Sequence, residues 1–515
     1  MQKINFKNKK ILFRTIFCAF TFLIVGVFTS QCFAENSSQN NKLSTFQYLK
    51  KLNTIFDFVQ RNYVDDVDAK VLYEGAVKGL MESLDDPYTS YLDEETIRDL
   101  SDTTTGNFGG VGLSISKAVE SKPGKPAYVE VASPIEDSPG AKAGILAGDY
   151  ITEIDGKPTA PMTMQDVLDH LRGEVGKPVT VTVLRGKNLK FSVELVRALI
   201  EVPTVKYGMI NSTGYLRIIQ FTPDTPARVQ DAIDFFEKNK FANMIIDLRD
   251  NPGGLITSVA DVADKFIDEG PIVSTKSRLQ NENTVFLANP KATKLKNIPI
   301  VVLINQGSAS ASEILAGALK DNHLAYLVGQ RTYGKGSVQK VVPLSESECI
   351  KMTIARYYTP SDTNIDKIGI PPDLEVLYPK LTEEDEQNYS KLIESDEINT
   401  YVENHPKMTE ADISAFANEL STRYKLNLSL LRRLIRIRVW RTEPSHLYDL
   451  DYDIQLNAAL DVLKNHDDFN NLVRSTKTLK ELQEEAKLNE EALKESENAK
   501  NSEDVDIDFA PDGNE

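Results

Sequence analysis

The 515-residue chain is 41% apolar and 26% charged, the composition of an ordinary folded protein, which excludes a collagen-like, disordered or polytopic membrane chain. Its length suggests roughly three or four domains. A net charge of −17 leaves nothing to neutralise nucleic-acid phosphates, so no nucleic-acid partner is expected.

Residues 1–34 read as a secretory signal peptide. Lys3, Lys7, Lys9, Lys10 and Arg14 precede the apolar run 16–28, and Cys32 and Ala34 supply the small residues of a cleavage site. If the segment is not cleaved, a run beginning at Ile11 would anchor the chain to a membrane. Cys18 and Cys32 lie in this segment, which leaves Cys349 without a disulfide partner; with no histidine nearby to activate its thiol, it reads as an inert strand residue.

Over 42–97 the apolar residues Phe46, Leu49, Leu52, Ile55, Phe58, Leu72, Ala76 and Leu80 recur at helical spacing and predict two or three amphipathic helices, ending at Leu84-Asp85-Asp86-Pro87-Tyr88. Residues 98–197 predict a β-rich unit. It holds a glycine cluster at 106–112, a turn at 147–149, a short helix capped by Thr163 with Asp166, and an alternating strand at 179–184. Across 198–380, strands at 215–221, 244–248, 298–305 and 326–328 alternate with helices at 226–238, 256–267 and 311–321, the order of an α/β domain. Residues 381–466 predict further helices. One of them, 430–440, mixes arginine with apolar residues; the acidic charge favours packing between subunits, the arginines paired to acids, over an anionic membrane surface. Residues 467–515 form an acidic tail, expected to be disordered from about 481, beyond which 13 acids face three lysines.

Candidate chemistry lies between Asp247 and Gln339. The strand 298–305 runs through Gln306-Gly307-Ser308-Ala309-Ser310-Ala311-Ser312-Glu313 into a helix, so a hydroxyl meets a helix N-terminus, where backbone amides and the dipole stabilise developing negative charge. The same serines would equally serve as helix caps. Lys335, bracketed by Gly334 and Gly336 at the entrance of a strand, is a general base only if burial lowers its pKa; a surface turn is the alternative. In an extended strand Gln339 would share its face and orient the amine. The turn Asp247-Leu248-Arg249-Asp250-Asn251-Pro252-Gly253-Gly254-Leu255 leaves amides uncovered for an oxyanion hole, or is an ordinary βα turn. His323, between a helix and a strand, is the one histidine of the α/β domain, which makes a Ser-Lys pair the better reading than a Ser-His-Asp triad.

The ordered set 110–112, 247–255, 307–313, 334–339 and 369–373 (Gly-Ile-Pro-Pro-Asp) closely resembles the carboxyl-terminal processing proteases, also called tail-specific proteases. The resemblance spans roughly 42–380. It implies a PDZ domain inserted ahead of an α/β core of crotonase-like fold, with helical N- and C-terminal segments, and a serine endopeptidase that needs no cofactor. By position Ser310 would be the nucleophile, Lys335 the general base and Gln339 the residue that orients it. Ala311 and a glycine of Gly253-Gly254, with Gly254 preferred, would donate to the oxyanion, and Ser308 and Ser312 would be structural. In the PDZ segment, Gly109, Gly110, Val111 and Gly112 would meet a peptide's terminal carboxylate while Val167, Leu168 and Leu171 line an apolar pocket. Arg172 is a candidate for signalling occupancy, with a surface salt bridge as its plainer reading. Expected partners are proteins with apolar C-terminal tails, an adaptor or activator, and further copies of the chain through its helical flanks. The expected location is the bacterial periplasm. A non-catalytic PDZ scaffold is the rival function, against which stand Ser310, Lys335 and Gln339 together.

Overall fold

The computed structural model describes residues 43–503, apart from 119, 122–125, 136–137, 147, 187, 406, 441–445 and 466–467. The signal segment 1–34 and Ala147 of the expected turn lie outside the described residues. The chain divides into two compact units at Ser83–Leu84. In the first, the helices Thr45–Asn62 and Ala69–Glu82 start at side-chain caps, a Ser44–Gln47 capping box and Asp68, which accepts from the Lys70 amide. The first helix buries none of its residues, although its apolar stripe was what made it legible.

The second unit is built on a six-stranded sheet, in the order Val205–Ile210, Thr213–Ile218, Asn243–Asp247, Ile300–Ile304, Ala325–Gly329, Leu374–Glu375. The first pair is antiparallel and the rest are parallel. Parallel neighbours need crossovers, and the helices Thr225–Lys238, Ile256–Ala263 and Ala311–Asp321 supply them. Side chains alternate between faces, so Leu216, Ile246, Val302 and Leu327 pack under these helices. Tyr215, Ile245, Val301, Leu303 and Val328 face the opposite way, onto the helices Ile454–Asn465 and Phe469–Arg474. This burial on both faces is why Ile300–Ile304 reads as an unbroken apolar run.

A second sheet was not foreseen. It joins Ser90–Leu92, Cys349–Tyr358, Pro271–Ser277, Thr284–Leu287 and Ser337–Pro343. Because Ser90–Leu92 pairs with Cys349–Lys351, the expected N-terminal segment 42–97 runs past its structural end. Cys349 is a buried strand residue, as expected, and burial pushes its thiol up.

The PDZ-like sheet comprises Leu113–Lys117, Val129–Pro134, Tyr150–Ile154, Lys157–Pro158, Pro178–Arg185 and Leu189–Val196. Its helix Met164–Leu171 begins at the foreseen Thr163–Asp166 capping box. The expected limits 98 and 197 need correcting. Residues Glu94–Thr105 are a helix, and Asn107–Gly110 pairs with Ala198–Glu201 in a separate ribbon.

The helices Glu383–Ser395, Glu397–Asn404, Glu410–Tyr424 and Leu428–Trp440 enclose a core of their own. Arg432, Arg436 and Arg438 of the last helix pair with acids of the same chain. Arg436 reaches Asp451 at 2.5 Å, and Arg438 bridges Glu403 to Glu130 of the PDZ-like sheet, each at 3.1 Å. The expected boundary at 466 also fails, since Leu456, Ala459, Phe469 and Val473 belong to the central core. The tail expected to be disordered from 481 is a helix, Leu479–Glu503. It is capped by Thr478 with Glu481, and Leu479 is buried against the α/β core.

The Gly369-Ile370-Pro371-Pro372-Asp373 segment has a clear structural task. Asp373 accepts the Leu327 amide at 2.9 Å and pairs with Lys320, whose side chain is 1% exposed in the helix below. Removing one partner of such a pair strands a charge, whereas replacing both need not. Asp373→Ala is expected to cost about 3–5 kcal/mol in urea unfolding, and the Lys320→Met/Asp373→Leu double variant clearly less. Equal costs would contradict the pairing.

Candidate active site

Ser310 stands where the strand Ile300–Ile304 turns into the helix Ala311–Asp321, and it takes φ 55° and ψ −114°. A non-glycine residue held there is strained by about 1–3 kcal/mol and persists only because its surroundings fix it. Those surroundings are visible. Ser308 Oγ donates to the Leu248 carbonyl at 2.8 Å and accepts the Asn305 amide at 3.0 Å, while Ser312 Oγ donates to the Asn251 carbonyl at 2.9 Å. Both hydroxyls are fully buried, and they tie the elbow to the neighbouring strand and its turn.

That turn, 248–255, lies directly against the serine. A Cβ on Gly253, where φ is +105°, would come within 2.8 Å of Ser310 Cβ and 2.9 Å of the Ala311 nitrogen, so only glycine allows the approach. The Gly253 amide donates to Asn251 Oδ1 at 2.9 Å. Among the described residues, neither the Gly254 amide nor that of Ala311 at the helix start donates one of the backbone hydrogen bonds of the turn. Behind the turn, Asp247 is fully buried, and Arg249 binds both Asp247 and Asp453, with Nη2 at 2.6 and 2.7 Å. Burial pushes the Asp247 carboxyl up, but the Arg249 guanidinium outweighs it and holds the group below its usual range. The segment leading into the helix Ile454–Asn465 is thereby bolted to the back of the site.

Glu313, which the sequence reading passed over, organises the centre. Its carboxylate is fully buried, and each oxygen accepts two donors. Oε2 takes the amides of Ser310 at 2.8 Å and Lys335 at 2.9 Å; Oε1 takes Thr332 Oγ1 at 2.6 Å and the Gly334 amide at 2.7 Å. One side chain thus fixes the serine's backbone relative to the lysine's. Burial pushes its carboxyl up and the four donors pull it back only in part. A glutamate three residues after the elbow serine was the signal available in the sequence.

Lys335 is half-buried. Burial lowers its pKa first and Lys351 lowers it further, against the pull of Glu313 and Asp86. Its Nζ lies 4.9 Å from the centroid of the Tyr88 ring, and no hydrogen bond joins it to Ser310 Oγ among the described residues. Gln339 departs from its expected position. The strand Ser337–Pro343 carries a bulge between Val338 and Gln339, which breaks the two-residue period and turns the amide to Ser337 Oγ at 2.9 Å and Thr353 Oγ1 at 3.2 Å. His323 sits beyond the far end of the helix that Ser310 opens, roughly 16 Å along the axis, with Nδ1 3.3 Å from the Val473 carbonyl oxygen; a triad through it is excluded.

In the PDZ-like unit, Gly109 and Gly110 are not a free loop: they pair with Leu199 and Ala198, and the Gly109 carbonyl accepts the Gly173 amide. The carbonyls of Val111 and Gly112 are likewise used, accepting the amides of Gly140 and Ile135, but the amides of Val111 and Gly112 make no backbone hydrogen bond among the described residues. Val167 and Leu171 are buried in the sheet's core with Val111 rather than lining a pocket, because residues four apart share the inward helix face; only Leu168 keeps a partly exposed side. Arg172 stacks its guanidinium 5.1 Å from the Phe108 ring centroid.

A strained serine at a helix start, a glycine turn packed against it and a half-buried lysine whose amide shares one carboxylate with the serine's are the arrangement of a serine-type peptidase. Comparisons with known proteins agree. Residues 212–376 match the model of peptidase family S41, 130–185 that of a PDZ domain, and 21–96 that described as the activating protease CtpB N-terminal domain. The chain is 42% identical over 370 residues to a carboxy-terminal-processing protease of Bartonella bacilliformis, covering 70% of this chain and 82% of that protein. It is 32% identical over 332 residues to a probable CtpA-like serine protease of Staphylococcus epidermidis, covering 64% of this chain and 66% of that one. Among solved structures it is similar to a photosystem II D1 C-terminal processing protease, at 30% identity and TM-score 0.39, over 65% of this chain and 94% of that one. The chain belongs to the peptidase S41 family, as a serine-type protease of carboxy-terminal processing with a PDZ domain.

Glu313→Gln keeps the shape of the side chain but confronts one pair of donors with an amide NH₂. The expected result is a loss of about 2 kcal/mol in stability and a fall of at least about tenfold in kcat with KM little changed. An unchanged kcat in a folded variant would remove Glu313 from the account.

Proposed function

We propose that the chain is an exported endopeptidase that captures protein C-terminal tails with its PDZ domain and hydrolyses peptide bonds with Ser310 and Lys335 through an acyl-enzyme, in the processing or degradation of periplasmic proteins. The observation that carries this reading is the common anchoring of the Ser310 and Lys335 amides on Glu313 Oε2. The backbones at both ends are fixed, so rotation of the lysine side chain alone has to bring Nζ from the Tyr88 ring to Ser310 Oγ. Neutral Lys335 then accepts the hydroxyl proton as Oγ bonds to the scissile carbonyl carbon, and the amides of Ala311 and Gly254 hold the oxyanion. The ammonium passes its proton to the departing amine as the acyl-enzyme forms. A water, deprotonated by the same lysine, attacks the ester; the carbonyl–Oγ bond breaks, the lysine returns its proton to Oγ, and the new carboxyl end departs.

The lowered pKa of Lys335 supports this role, because the neutral amine is populated nearer to neutral pH than in an ordinary lysine. The spare amides of Val111 and Gly112 support capture of a terminal carboxylate. Val167 and Leu171 would have to part for an apolar side chain to enter, which makes tail binding a rearrangement of the domain. Homo-oligomerisation through the N-terminal helices is supported by Phe46 and Phe58, 75% and 66% exposed on a helix that buries nothing. No helix among the described residues is long and apolar enough to cross a membrane.

The test is cleavage of an unfolded protein with an apolar C-terminus by the purified chain in EDTA, beside folded Ser310→Ala and Lys335→Ala variants. Each variant is expected to lose at least about a thousandfold in kcat/KM, since a nucleophile and its base act as a unit. Cutting that survives either change rules that residue out of the mechanism.

A further inference from the structure

Lys335 has little freedom in its main chain. Its amide is bound by Glu313, and its carbonyl accepts the hydroxyl of Tyr357, a fully buried ring. Only the side-chain torsions can carry Nζ, and here they place it over the face of Tyr88, 4.9 Å from the ring centroid. That ring is itself held. Asp86 accepts the Tyr88 amide at 3.1 Å and Thr89 Oγ1 at 2.6 Å, and Thr89 Oγ1 accepts the Thr353 amide at 3.0 Å. Gln339 Nε2 reaches the same Thr353 through Oγ1. Gln339 is thus connected, through Thr353 and Thr89, to the turn that carries Tyr88.

We propose that Tyr88 is a positioning residue for Lys335: its ring face is the resting seat of the protonated ammonium, and it sets how readily the lysine releases that proton and turns to Ser310. The attraction of an ammonium to an aromatic face strengthens when the pair is drawn out of water, as here, where both partners are half-buried. The phenol stays neutral. Burial, followed by a hydrogen bond with Tyr333, pushes it up to about 12, so the ring acts through its face and not as an anion. The other groups facing Nζ are the carboxylates of Asp86 and Glu313, which favour the cation, and the ammonium of Lys351, which opposes it. Asp86 is held below its usual range, because hydrogen bonds from Thr89 and Thr353 overcome the upward push of burial, so it remains an anion through the working range.

The inference rests on the Ser310–Lys335 reading, and its test is readable without catalysis. In the full chain carrying Ser310→Ala, the Lys335 Cε resonance is titrated by NMR, assigned by its loss in Lys335→Ala. Tyr88→Leu and Tyr88→Met keep the site apolar but remove the ring face; Tyr88→Phe keeps the face and removes only the hydroxyl. The expected result is a fall of about half to one pH unit in the Lys335 midpoint with Leu or Met, and none with Phe. The active forms should show the acid limb of kcat/KM moving by the same amount with KM unchanged. Having two ring-less variants covers the failure of either to fold. A midpoint that does not move, rises, or falls equally with Phe overturns the role of Tyr88. Movement of the midpoint in a chain that cleaves nothing would leave the Tyr88 contact standing and overturn the peptidase mechanism instead.

Discussion

A carboxylate buried between two backbone turns is the constraint on which the site depends. Glu313 accepts the amides of Ser310 and Lys335 on a single oxygen, so the elbow after one strand and the loop before another cannot drift apart without orphaning buried donors. Leaving such donors unmade costs more than forming them gains, and this asymmetry holds Ser310 at a φ that a serine otherwise avoids. Everything chemical about the site presupposes that arrangement: the serine opens its helix next to the Ala311 amide, and the lysine emerges from a fixed point.

Charges buried beneath the sheet extend the same rigidity outward. Asp247, Arg249 and Asp453 connect the glycine turn to the C-terminal helices, and Lys320 with Asp373 closes the other end of the helix that Ser310 begins. Paired charges inside a protein add little net stability but penalise any arrangement that separates them. They therefore specify where the elbow and glycine turn lie.

The parts of this structure legible in the sequence are those governed by local rules. The α/β alternation, the Thr163–Asp166 cap and the serine at a strand-to-helix turn follow from side-chain periodicity and from what a helix start requires. The unforeseen parts are those set by distant partners. Strand Ser90–Leu92 has too few residues to show a pattern and is defined by its pairing with Cys349–Lys351. A bulge at Val338–Gln339 redirects Gln339, and no spacing rule announces a bulge. Glu313 and Tyr88 matter because of what folds against them, and a capping glutamate or a turn tyrosine looks ordinary alone. The tail helix Leu479–Glu503 was hidden by its composition: its acids point to disorder, yet its first turn is capped and seats Leu479 in the core.

The central claim is that Ser310 is made nucleophilic by a lysine whose pKa the fold has lowered. The most direct measurement is the pH dependence of labelling by a serine-directed fluorophosphonate, with the adduct located by peptide mass spectrometry. The account predicts one adduct, on Ser310, formed at a rate that climbs through a midpoint clearly below that of an ordinary lysine. An adduct on Ser308 or Ser312, or labelling of Ser310 that does not change with pH, would contradict it.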